Sequence, residues 1–168
     1  MTNGQLFTLW SIRMSTAIYV ASLSLLLCPC KNRWRKAYRI TWTAACIFYL
    51  AHVSGAFQFF HGWSHLAAYR ETARQTRELF GLEWGGGLYF NYLFSLVWLA
   101  DVLWAWASFD AYQSRPRWIG AAIHSFLAFM FFNATIVFGS GFRRWFGICA
   151  AMGLAILVWR RMRIAESS

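Results

Sequence analysis

Long apolar runs constrain this chain more than any other feature of it. Inside a bilayer no water satisfies the backbone, so a spanning segment must be helical and needs about 20 mostly apolar residues. Residues 7–28, 39–60, 88–108 and 119–138 meet that length; 145–160 is a shorter fifth run that Phe142 and Met162 extend at the interfaces. The expected fold class is all-α: a polytopic transmembrane helical bundle of about five spans, one transmembrane domain over residues 1–168. Composition agrees, since 59% of the residues are hydrophobic and 13% charged, far from soluble averages.

A net charge of +10 would suit a nucleic-acid binder, but the basic residues sit in short clusters between apolar runs and not along one face. They read as topology signals, and no nucleic-acid partner is expected. Lys31, Arg33, Arg35, Lys36 and Arg39 follow the first run, Arg115 and Arg117 the third, and Arg160, Arg161 and Arg163 the fifth. With five spans these ten basic residues share one side against five on the other (Arg70, Arg74, Arg77, Arg143 and Arg144), and Glu71, Glu78 and Glu83 offset much of the latter set. Positive charge marks the cytoplasmic side, so the expected localisation is an integral, multi-pass membrane protein with the N-terminus outside and the C-terminus cytoplasmic. Arg143 and Arg144 run against the rule. The stretch 15–27 after Arg13 resembles a signal peptide core, yet no small-x-small site follows it and the basic segment 31–39 resists export, so it reads as a retained first helix.

Between spans 2 and 3, Leu66, Tyr69, Ala73, Thr76 and Phe80 recur at spacings of three and four, with Arg70, Arg74, Arg77 and Glu78 on other faces. That pattern predicts an amphipathic surface helix over 65–80, capped by Ser64, ended by Gly81 and lying in the outer interface. Gly85-Gly86-Gly87 is expected to free the backbone for the turn into span 3. Most tryptophans, among them Trp63, Trp84, Trp104, Trp106, Trp118, Trp145 and Trp159, fall near run ends as interfacial anchors do.

Ionisable and polar groups inside a span are costly and are therefore the candidate sites. Asp101 lies about 10 Å from the cytoplasmic end of span 3, and His124 about 9 Å into span 4 from the same side. Their expected pairing makes an intramembrane polar site, structural or proton-handling. His52 lies about 18 Å from the inner end of span 2; with His124 it offers the minimum ligand set for a b-type haem, although the two depths differ. An outer cluster of Arg13, Gln58, Asn91 and Asn133 is placed to line a cavity for an anionic or quinone-like head group, against the alternative of snorkelling and amide bridging. His124 and Asn133 are nine residues apart, half a helical rotation, which separates the inner and outer sites.

His61 and His65 have the i,i+4 spacing of a helical metal pair, with Glu71 and Glu83 as further oxygen donors, but Gly62 and Ser64 interrupt the helix there. A di-iron oxygenase needs several histidine boxes and is excluded by a total of four histidines. Cys28-Pro29-Cys30 lacks a second ligand pair. No nucleophile elbow, phosphate loop or dinucleotide fingerprint is present.

Three functions remain: a non-catalytic component of a membrane assembly, which the small size and absent enzyme motifs favour; a haem- or quinone-binding redox subunit; and a small proton-coupled transporter. No cofactor is favoured, b-type haem and a divalent metal being the two considered. The expected partners are the lipid bilayer and other membrane subunits or a second copy of the chain.

Overall fold

The computed structural model describes residues 2–27 and 31–166, and is helical throughout, with no strand among the described residues. Among the described residues four helices are long and apolar enough to cross a membrane: Asn3–Leu27, Arg35–His61, Gly87–Ala107 and Arg117–Val137. They fall on the first four apolar runs. Helix α1 is Asn3–Leu27; α2 is Lys31–Ala56 and continues as a π-helical turn over Phe57–His61. Helix α3 is His65–Phe80 and α4 is Gly87–Ala107. A six-residue helix, α5 (Phe109–Ser114), precedes α6 (Arg117–Phe132), which ends in a second π-helical turn, Asn133–Val137. The fifth apolar run lies within α7, Phe142–Glu166. The Cys28-Pro29-Cys30 pair lies outside the described residues.

Helix α1 packs along α2 more extensively than any other two elements meet. The reason is a stripe of small and hydroxylated residues: Thr8, Ser11, Ser15 and Ser22 are all buried, at helical spacing, with Tyr19 on the same face. Small side chains let two backbones approach where no water drives apolar association. Each hydroxyl is satisfied by a carbonyl, Thr8, Ser11 and Ser22 within α1 and Ser15 Oγ across to Ala45 of α2 at 2.8 Å. Helix α4 presents Phe94, Trp98, Asp101 and Ala105 as one buried face. Phe94, Trp98 and Ala105, with Tyr19, Trp42, Cys46 and Tyr49, belong to one continuous core rich in aromatic rings.

Helix α3 forms with the expected caps: Ser64 Oγ accepts from the Ala67 amide at 3.2 Å, and Gly81 ends it with φ +70°. Its expected apolar stripe divides. Ala73 and Thr76, with Ala68, are buried against the rest of the chain, while Leu66 and Phe80 are exposed. Gly85 serves close approach and not a left-handed turn: a Cβ there would lie 2.5 Å from the Tyr69 carbonyl oxygen. The left-handed residues are elsewhere, Gly62 (φ +54°) and Trp63 (φ +58°) in succession, and they turn the chain from α2 into α3.

Candidate functional site

Asp101 sits on the buried face of α4, 1% exposed. What surrounds it follows from how the chain breaks after α4. Ser108 is extended (φ −151°, ψ 92°), ending α4 and starting α5 at a new angle. Arg115 precedes Pro116, whose ring disfavours the helical region for its predecessor; Arg115 accordingly takes φ −55°, ψ 145° and ends α5. This short return brings Tyr112 and Arg115 back to the carboxylate.

Three donors from two directions occupy both of its oxygens. Arg115 Nη1 donates to Asp101 Oδ1 at 2.5 Å, while the Trp42 indole N–H and the Tyr112 hydroxyl donate to Oδ2 at 2.9 and 3.0 Å. Because the single Tyr112 proton is committed to Asp101, Tyr38 is the donor in the 3.3 Å contact between the two phenols, and Arg115 Nη2 also donates to Tyr112. The ion pair is buried, its side chains 10% and 0% exposed. The Arg115 guanidinium also lies 3.9 Å over the Tyr112 ring and 5.7 Å from that of Trp104. Burial, and then the neighbouring Asp101 charge, push the Tyr112 phenol up to about 12. Charge-assisted bonds in a low-dielectric interior are strong individually and costly when one member is lost. The arrangement locks α2, α4 and α5 together.

His124 does not hydrogen-bond to Asp101. Its ring packs edge-on against Trp42, centroids 5.2 Å apart, and both ring nitrogens are buried without a hydrogen-bond partner among the described residues. Tyr19 Oη and Trp98 Nε1 are likewise buried and unpaired, and both rings also pack on Trp42, at 5.7 and 5.2 Å. His52 is engaged elsewhere, its Nδ1 2.8 Å from the Thr8 carbonyl of α1. Since His124 meets α2 at Trp42 and His52 lies ten residues further on, a rise of about 15 Å, the two imidazoles are not brought to one iron.

The outer cluster does not converge. Arg13 is exposed and lies 5.0 Å over the Trp10 ring; Gln58 accepts from the Trp63 indole at 2.7 Å; Asn133 donates to the Phe129 carbonyl of its own helix; Asn91 is exposed, its carbonyl taken by Ser95. Each closes a local contact. His61 and His65 are split by the left-handed turn, His65 reaching the Tyr92 hydroxyl of α4 at 3.0 Å and His61 stacking edge-on with Phe57. Among the described residues no three His, Cys, Asp or Glu side chains gather where they could hold a metal ion.

The partners of Asp101 escaped sequence reasoning. Arg115 counted as a topology charge and Trp104 as an interfacial anchor, and Trp42 and Tyr112 carried no signal beyond being aromatic. No family model, curated protein or solved structure matches this chain, so what it does rests on its own residues.

Proposed function

We propose that the chain is a non-catalytic helical component of a membrane assembly, crossing the bilayer five times with its N-terminus outside and its C-terminus in the cytoplasm. The observation that carries this reading is that both oxygens of Asp101 already hold donors from the chain itself. It is the only carboxylate within the apolar runs, and its oxygens are taken by Trp42, Tyr112 and Arg115. A carboxylate so held joins helices and has no oxygen waiting for a substrate. Helix α6 supports the assembly: only 6% of its most apolar stretch is buried inside the chain, against 33% for α4. Leu127 is its one buried residue, and an exposed face that includes Trp118, Phe129 and Phe132 is left for lipid or for another subunit's helices. The fifth span rests on the 25-residue length of α7, and the orientation on the ten basic residues that five spans collect on one side.

The test is native mass spectrometry of the tagged chain extracted in mild detergent, together with its visible spectrum and proton flux in liposomes. A fixed stoichiometry above one, a featureless spectrum and no flux are expected. A monomer that carries a chromophore or moves protons overturns the reading.

One observation favours a second reading, a small proton-coupled transporter: the unpaired His124, Tyr19 and Trp98 polar atoms around Trp42. Buried polar atoms without partners are costly, and where several cluster a function is a common reason. Flux that survives unchanged in His124→Phe ends that alternative.

A further inference from the structure

The candidate span Arg35–His61 ends where α3 folds back over it, and an open groove of about 600 Å³ lies at that junction. Phe60 and His61 come from the end of the span; Arg70, Glu71, Arg74 and Gln75 come from one face of α3. The left-handed pair Gly62 and Trp63 makes this geometry, since two successive positive φ values reverse the chain within a few residues.

The charges in the groove are unequally used. Arg74 is consumed, donating through Nε and Nη2 to Glu71 at 2.9 and 2.6 Å and through Nη1 to Glu78. Gln75 donates to Glu71 as well, and the Arg74 hydrogen bonds hold the Glu71 carboxyl below the usual carboxylate range. That network is closed. Arg70, by contrast, is exposed and has no hydrogen bond or ion pair among the described residues, and neither His61 nitrogen has a hydrogen bond. The groove therefore offers an unpaired guanidinium, and an imidazole without a hydrogen bond facing Glu71, beside the closed network of Arg74 with Glu71 and Glu78. Its apolar lining is Ala67 and Phe60, the latter more than half exposed, and Phe59, Trp63 and Leu66, near it in the chain, are each at least half exposed as well.

We propose that this groove binds the phosphate of a phospholipid in the adjoining leaflet, with Arg70 and His61 as donors and an acyl chain along the exposed Phe60 ring. A guanidinium presents paired N–H groups matched to phosphate oxygens, and exposed aromatics at a span end belong at headgroup depth. The site rests on the reading that α2 crosses the membrane.

The purified full chain in detergent is titrated with phosphatidylglycerol, with diacylglycerol as the phosphate-free control, and retained lipid is counted by native mass spectrometry. Wild type is expected to retain one phosphatidylglycerol and no diacylglycerol. Arg70→Ala is expected to weaken retention about tenfold or more, the loss of a charge-assisted bond, and His61→Phe by less. Arg77→Ala removes a cation from α3 outside the groove and leaves retention unchanged, and circular dichroism checks that each variant keeps its helix. Equal losses in Arg70→Ala and Arg77→Ala overturn the site as general charge attraction. Full competition by inorganic phosphate at the same concentration overturns the lipid as its source. Alkaline carbonate extraction separates the two levels: release of the chain from membranes overturns the membrane reading, whereas a membrane-retained chain with no phosphatidylglycerol adduct overturns the headgroup site alone.

Discussion

With Arg115 removed, the Asp101 carboxylate keeps two neutral donors, Trp42 and Tyr112, and no counter-charge. Breaking a buried pair from one side typically costs about 3–5 kcal/mol, whereas replacing both members by groups of similar shape costs far less. Arg115→Met is therefore expected to lower unfolding stability in detergent by that amount, and Asp101→Asn combined with Arg115→Met to restore much of it; additive losses in the double variant would contradict the lock. The Tyr112 phenol gives a pH dependence. Its folded pKa is raised from 10.0 to about 12, so the folded state prefers the neutral phenol. That contribution is fully present below pH 10 and is lost as pH rises through about 12. Thermal melts at stepped alkaline pH should show wild type losing more stability across this window than Tyr112→Phe does. At this scale the ionisable group was legible, since a lone Asp in an apolar run is conspicuous, but its partners were not. Trp42 lies 59 residues away and Arg115 lies 14 residues away across a chain break, and no local period relates such positions.

Elements with caps and periodicity were readable; those shaped by neighbours were not. Ser64 and Gly81 bound α3 where the capping chemistry puts them. Helix α5, at six residues, is too short to show a period, and the π-helical turns at Phe57–His61 and Asn133–Val137 carry no composition that announces them. The glycine run at Gly85 was visible as glycine, but its use was not. Because the clash at Gly85 is with the Tyr69 backbone carbonyl and not with a flexible side chain, Gly85→Ala must displace α3 from the start of α4. Faster amide hydrogen exchange in the half of α3 that holds Tyr69, with α1 and α2 unaffected, is the expected result; unchanged protection in α3 would show that the loop absorbs the methyl.

For the molecule as a whole, the proposed topology has a direct check. A fluorescent protein fused after Ser168 is expected to fold and fluoresce in the cytoplasm, and a tag before Met1 to be cleaved by protease added to intact cells. Fluorescence with a protected N-terminal tag would mean an even number of spans, which α7 lying in the interface would produce. The exposure of α6 sets another expectation at this scale, that the bundle is completed by lipid or by a partner and not by its own chain.

Apolar run length was enough to mark a helical chain, and four of its five runs coincide with helices able to cross a membrane among the described residues, because that constraint acts on each segment separately and is written in order along it. Which polar groups meet depended on packing. The Ser108 and Arg115-Pro116 breaks swing α5 back onto α4, so Asp101 met Arg115 and Tyr112 while His124 settled on the Trp42 ring without reaching the carboxylate. Such pairings are set by rotations and crossing angles of whole helices, to which every residue of the core contributes and which no single segment encodes.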